Sequence, residues 1–222
     1  MKIYASLLSC DLLNIRNEIS ALAEAGIDGL HVDIMDGRFV RNIAFGIDFV
    51  KRICSSTDLP VSVHMMVDEP SPFVSAVACE NVESVIVHRE ISDNLSDALN
   101  NIKNAGLGVG LAINPMTKVS DIENYASIID TVLVMGVHPG FGGQTMLPEI
   151  PDKIDSLIAI CEGNMSISID GGVNSDTVNL VRIREDDTLI AGNYLFERTD
   201  ENKVVGLKEK IKTLCCGIST GQ

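Results

Sequence analysis

Residues 3–33 read IYASLLSCDLLNIRNEISALAEAGIDGLHVD. The first six residues, Ile3–Leu8, and the last five, Gly29–Asp33, are short, mostly apolar runs of strand length. Between them Leu12, Ile15, Ile19, Leu22 and Ala23 recur at steps of three and four, the spacing of one helical face. Gly26 stands where a left-handed C′ cap ends such a helix. The stretch is therefore one strand–helix–strand unit. A parallel pair joined by a crossover helix is the economical way to fold it.

The unit repeats along the chain. Further strands are expected at Val61–Met66, Ser84–His88, Gly108–Ile113, Thr131–Met135, Ser166–Asp170 and Thr188–Ala191. Helical spacing fills the intervals at Phe45–Cys54, Pro72–Cys79, Asn94–Ala105, Asp121–Ala126, Ile150–Cys161, Ser175–Val181 and Lys203–Leu214, with Asp121 and Ser175 as helix-start residues. Several strands lack polar alternation, as suits a parallel sheet covered on its outer face. Eight such units in 222 residues, with no linker of biased composition, predict a single (β/α)₈ TIM barrel over residues 1–222. An open doubly wound sheet would place a phosphate-binding glycine turn after its first strand. Here that position reads Ser6-Leu7-Leu8-Ser9-Cys10-Asp11.

Seventeen Lys and Arg against 31 Asp and Glu give a formal charge of −14. Nucleic acid and anionic membrane both require clustered positive charge, so neither is an expected partner. No apolar run reaches the ~20 residues of a membrane span. The N-terminus lacks the apolar core of a signal peptide. The six cysteines form no CxxC pair, and reduced thiols in the cytoplasm are expected. With 45% apolar residues and no Trp, the chain can bury a large aliphatic core.

In a barrel of this kind chemistry gathers at the C-terminal strand ends. Those ends carry Ser6 or Ser9, His31 with Asp33, His64, His88, Asn114, Met135, Asp170 and Gly192-Asn193. His31 and Asp33 are two residues apart on a strand and point to one face, while Leu30, Val32 and Ile34 point to the other. His64 would be their neighbour on the next strand, with Asp170 across the mouth. Any one of these could be a hydrogen-bonded core residue. Four converging together favour a divalent metal site, because unpaired buried carboxylates are costly. Zn, Fe, Mn or Co would suit it, one ion per subunit. Three glycines in Gly140-Phe141-Gly142-Gly143, with Gly171-Gly172 and Gly192-Asn193 after the last two strands, suit backbone amides approaching a phosphate. Met35, Met66 and Met135 are expected to cap a dry pocket, with Met65 in the core.

These residues resemble the ribulose-phosphate 3-epimerase family along essentially the whole chain. The most specific stretches are His31-Val32-Asp33-Ile34-Met35-Asp36-Gly37, His64-Met65-Met66-Val67, Pro139-Gly140-Phe141-Gly142-Gly143-Gln144 and Asp170-Gly171-Gly172-Val173. The resemblance implies a TIM barrel of the ribulose-phosphate-binding type that inverts C3 of a ketopentose 5-phosphate. It implies a metal on His31, Asp33, His64 and Asp170, with Asp33 and Asp170 as the two acid–base carboxylates. It places Ser6 and His64 near the sugar hydroxyls. It places the phosphate near Gly142, Gly143, Gly171, Gly172, Gly192 and Asn193, under a loop of Gly140–Gln144. It also implies a small phosphorylated ketose as substrate and a homo-oligomer.

The chain departs from the usual family pattern at Ala5, Arg38, Arg41, Met116, His138 and Asn193. These lie around the phosphate end and the loops that size the pocket, so reaction type is better fixed than substrate. A ketohexose 6-phosphate such as allulose 6-phosphate, or a barrel that binds a sugar phosphate without turnover, are the alternatives.

Overall fold

The computed structural model describes residues 1–160, 165–197 and 203–217. Nine strands lie among them: β1 Lys2–Ser6, β2 Gly29–Asp36, β3 Ile43–Ala44, β4 Val61–Met66, β5 Val82–His88, β6 Gly108–Ile113, β7 Thr131–Met135, β8 Ser166–Asp170 and β9 Thr188–Ala191. Eight are parallel and run β1-β9-β8-β7-β6-β5-β4-β2, and β1 pairs β2 to close the barrel. The short β3 folds back antiparallel on the end of β2, pairing Met35 with Ala44 and Asp36 with Ile43. The helices are α1 Ile15–Ala25, α2 Ile47–Cys54, α3 Val74–Val77, α4 Leu95–Asn104, α5 Ile150–Ile160, α6 Asn193–Phe196 and α7 Lys203–Cys216.

The two faces of each strand bury into different cores. Ile3, Leu30, Val32, Val63, Leu111 and Ile167 face outward into the large layer shared with the helices. Tyr4, Ile86, Ala112, Leu133, Met135 and Ile190 form a separate cluster inside the barrel. A Cβ on Gly110 would sit 2.4 Å from Ile86 Cγ1, so glycine there makes room for the larger neighbour. At roughly 25 cal/mol per Å² of apolar area removed from water, this double aliphatic burial is the main stabilising contribution.

Gly26 adopts φ 85° and ends α1 as expected. Its amide donates to Ala23 O at 3.1 Å, and the Ile27 amide reaches Leu22 O at 3.1 Å. That pattern satisfies the last carbonyls of the helix. Several expected elements are shorter. The first strand stops at Ser6, and Leu7–Ser9 form a 3₁₀ turn. Leu12–Asn14 are likewise 3₁₀, so the first helix begins at Ile15. The crossovers expected at Asp121–Ala126 and Ser175–Val181 are 3₁₀ over Val119–Tyr125 and Thr177–Leu180, with Lys118 and Asp176 at their starts instead of Asp121 and Ser175. In the crossover expected at Pro72–Cys79, only Val74–Val77 is α-helical. A 3₁₀ turn rises ~2.0 Å per residue against 1.5 Å, which lets a short segment reach the next strand. Cys10, Cys54, Cys79, Cys215 and Cys216 are free thiols, and Cys161 lies outside the described residues. Among the described residues no helix is long and apolar enough to cross a membrane.

Candidate active site

Strand register assembles the site. β2 and β4 pair Asp33 with His64, β7 and β8 pair Met135 with Asp170, and β1 sets Ser6 beside His31. His31 and Asp33 therefore project inward from β2 and meet His64 from the adjacent strand. Ligand-type atoms of His31, Asp33, His64 and Asp170 all lie within 4.8 Å of one another. Both imidazoles are fully buried. The two carboxylates stand in front of them and form the floor of a cavity of about 410 Å³.

Asp33 is held from three sides. Ser6 Oγ donates to its Oδ2 at 2.9 Å. His64 Nδ1 lies 3.0 Å from Oδ1, and His31 Nε2 lies 3.4 Å from the same oxygen. Burial alone would raise its pKa, but the two imidazoles outweigh that and hold the carboxyl well below the usual range. Asp170 is the opposite case. Burial first, and then the nearby Asp33 charge, push it up to about 7. Burial pushes His64 down to about 4. For His31, burial acts to lower the pKa, but the Asp33 and Asp170 carboxylates prevail and raise it. One carboxylate is thus stabilised as an anion, and its neighbour is driven toward the neutral acid.

Neither His31 Nδ1 nor His31 Nε2 has a hydrogen-bond partner, although both atoms are buried. An imidazole rarely sits unsatisfied in a core. A cation facing Nε2 would satisfy that atom and offset the repulsion between Asp33 and Asp170. Two imidazoles and two carboxylates suit a borderline divalent ion, so the residues fit the expected metal.

The cavity wall carries the other expected groups. Met35, Met66 and Met135, each at most 2% exposed, line it, as do Gly140, Phe141, Gly142 and Gly143. Met65 packs in the outer core. Gly171, Gly172, Gly192 and Asn193 complete the far end. Gly171 and Gly172 have φ 105° and 72°, and a Cβ on Gly172 would stand 2.3 Å from the Met146 amide nitrogen. Only glycine permits that backbone path. Ser9 Oγ donates to Asn193 Oδ1 at 2.6 Å and joins the first loop to the last. Asn42 Nδ2 donates to Gly140 O at 2.7 Å, tying the glycine loop to the segment after β2. Arg38 is directed away from the floor, onto Asp68 at 3.1 Å and Glu69 at 3.4 Å. Arg38, Arg41 and His138 instead flank a second, more open cavity beside the first.

Sequence reasoning puts His88 at a strand end without a role and gives none to Glu90. The structure joins them to the site. His64 Nε2 lies 2.8 Å from His88 Nε2, and His88 Nδ1 lies 3.1 Å from Glu90 Oε2. The sequence signal is the two-residue spacing of His88 and Glu90 at the end of β5, which echoes that of His31 and Asp33 on β2.

Residues 2–196 match the family model described as the ribulose-phosphate 3 epimerase family. The chain is 35% identical over 209 residues to the ribulose-phosphate 3-epimerase of Bacillus subtilis, covering 92% of this chain and 96% of that one. It is 38% identical over 208 residues to the ribulose-phosphate 3-epimerase of Methanocaldococcus jannaschii, covering 92% and 88%. Among solved structures, a mutant tryptophan synthase alpha-subunit of Pyrococcus furiosus superposes with a TM-score of 0.68 at 13% identity, covering 97% and 98%. That last likeness is one of fold alone.

Proposed function

We propose, for a chain that belongs to the ribulose-phosphate 3-epimerase family, that it interconverts D-ribulose 5-phosphate and D-xylulose 5-phosphate by proton transfer at C3. Membership makes it an isomerase, an epimerase of carbohydrates. The observation that carries the mechanism is the geometry of Asp33 and Asp170: their ligand atoms lie within 4.8 Å of each other and of those of His31 and His64, and both carboxyls line the same cavity. Two carboxyls converging on one cavity are what a proton transfer needs in order to use one group as base and the other as acid.

Epimerisation removes the C3 proton from one face and returns one to the other. Asp33 takes the proton, and Asp170 delivers one from the opposite side of the resulting enediolate. The reverse reaction exchanges their roles. Ser6 donates to Asp33 Oδ2 while His64 and His31 face Oδ1, so the carboxylate is oriented from both sides at the cavity floor. A divalent cation held by His31, Asp33, His64 and Asp170 would supply positive charge beside the oxygens on which negative charge develops. Met35, Met66 and Met135 give the floor an apolar rim that limits protonation of the enediolate by water.

The phosphate is assigned to backbone amides around Gly142, Gly143, Gly171, Gly172, Gly192 and Asn193. Loops after the seventh and eighth barrel strands are a recurrent phosphate site in this fold. Phe141, 59% exposed, lies on the Gly140–Gln144 loop, which closes over the bound sugar phosphate in this reading.

Solvent deuterium wash-in at C3 tests the proposal. The metal-supplemented protein is given ribulose 5-phosphate, allulose 6-phosphate and related ketose phosphates in D₂O. Exchange with ribulose 5-phosphate is expected, and Asp33→Asn or Asp170→Asn should abolish it while phosphorylated sugar still binds. Exchange with the hexose phosphate alone would move the assignment to the ketohexose 6-phosphate. Binding without exchange across the panel would leave only a sugar-phosphate binder.

A further inference from the structure

Behind His64 the buried hydrogen-bond chain continues through His88 to Glu90 and onward to the loop after β6. His88 is fully buried, its ring 5.0 Å from that of His64 and 4.6 Å from that of Phe39 between centroids. Glu90 Oε2 faces His88 Nδ1, and Glu90 Oε1 accepts from the Asn114 amide at 2.9 Å and from Thr117 Oγ1. Lys153 Nζ donates to Asn114 O at 2.6 Å and to Pro115 O at 3.0 Å, which anchors the loop that follows the Asn114 amide.

Proton positions along this chain are constrained. Two imidazole nitrogens 2.8 Å apart can share only one hydrogen. A carboxylate accepts but does not donate, so Glu90 places the His88 hydrogen on Nδ1. His88 Nε2 is then bare and accepts from His64 Nε2, since two imidazole nitrogens 2.8 Å apart repel with no hydrogen between them. Two neutral imidazoles carry two hydrogens for three contacts, so His64 Nδ1 is left bare 3.0 Å from Asp33 Oδ1, and that acceptor–acceptor contact is the one a cation held by the four-residue cluster would occupy.

We propose that His88 and Glu90 are positioning residues that hold His64 in the tautomer whose Nδ1 can bind a cation. The inference rests on the reading of His31, Asp33, His64 and Asp170 as the cation site. A histidine ligand commonly has its second nitrogen fixed by a carboxylate or carbonyl, and loss of that partner costs 10–100-fold in metal affinity. Here an imidazole stands between ligand and carboxylate and relays the same constraint.

Glu90→Gln is the decisive variant, because the Asn114 backbone amide is a donor that cannot rotate. The carbonyl oxygen of the substituted side chain must turn toward that donor, which leaves its NH₂ group facing His88 Nδ1. His88 Nδ1 becomes an acceptor, its hydrogen moves to Nε2, and His64 is driven to carry its hydrogen on Nδ1. The full-length protein, stripped of metal by chelator, is titrated with Co²⁺ against a chromophoric chelator, and its tautomers are read by ¹⁵N NMR of labelled histidines. The parent is expected to bind Co²⁺, with hydrogens on His64 Nε2 and His88 Nδ1. Glu90→Gln is expected to bind Co²⁺ at least tenfold more weakly, with the His64 hydrogen on Nδ1.

A parent that binds Co²⁺ while a folded Glu90→Gln matches its affinity and keeps the His64 Nε2 hydrogen overturns the relay alone. A parent that binds no Co²⁺, or one whose affinity survives His31→Ala, overturns the cation site and the relay with it. If Glu90→Gln does not fold, the parent spectrum decides: a hydrogen on His64 Nδ1 refutes the assignment.

Discussion

Replacing Asp170 by asparagine should stabilise the metal-stripped protein while destroying its activity. The Asp170 side chain is 16% exposed, and its ligand oxygen lies within 4.8 Å of that of Asp33. Two charges at that separation repel by about 3 kcal/mol at an effective dielectric constant of 20. Burial of the carboxyl acts in the same direction and is the larger cause of the shift; the rise of the pKa from 3.8 to about 7 corresponds to about 4 kcal/mol lost on folding, at 1.36 kcal/mol per unit. The sign follows from which state ionises first. Below pH 4 the folded and unfolded carboxyls are both neutral, and Asp170 has no pH-dependent effect. Between pH 4 and 7 the unfolded chain ionises while the folded one does not, so stability falls. Above pH 7 the loss is complete.

Asparagine keeps the shape and never carries the charge. Asp170→Asn should therefore gain little at pH 4 and about 3 kcal/mol at pH 8, which for a domain of this size raises Tm by on the order of 10 °C. Thermal melts of the chelator-treated proteins at both pH values measure it. With excess Zn²⁺ or Mn²⁺ the order should reverse, because the parent gains binding energy from a ligand the variant lacks. Equal melting at pH 8, or a gain that does not shrink toward pH 4, would refute the electrostatic account.

Other perturbations address separate parts of the molecule. Gly172→Ala puts a methyl group 2.3 Å from the Met146 nitrogen at a backbone φ of 72°. It should raise KM for the sugar phosphate at least tenfold, and an unchanged KM would remove Gly172 from the phosphate end. Ser6→Ala removes the hydroxyl that donates to Asp33 and should lower stability by about 2 kcal/mol, as for a hydrogen bond to a charged group; urea denaturation measures the loss. Gly110→Ala drives a methyl group into Ile86 inside the barrel and should cost about 1–3 kcal/mol in the same assay with the site unchanged.

The local unit was legible because its signals are local. Gly26 ends α1 for a reason contained in its own backbone, and the three–four spacing marks Ile19 and Leu22 as buried, whereas Leu12 and Ala23, read onto the same face, are exposed. Strand periodicity placed His31 and Asp33 on one face before any tertiary contact was known. The 3₁₀ form of Val119–Tyr125 was not legible, since the span it must cover depends on where β6 and β7 stand. Nor was β3, a two-residue strand that exists only by pairing with the end of β2.

For this protein the sequence by itself determined the barrel repeat, the strand-end placement of His31, Asp33, His64 and Asp170 and the glycines at the strand ends, because alternation and spacing fix where along a strand and on which face a side chain lies. Tertiary structure decided what those residues are chemically. Asp33 and Asp170 are the same residue type, and their different neighbours favour the anion at one and push the other toward the neutral acid. The same holds for the histidines. His31, with two orphaned nitrogens, differs from His64, which is held between Asp33 and His88, by contacts between strands that only closure of the barrel creates. The part played by Glu90, two neighbours removed from the cluster, becomes visible only once those contacts exist.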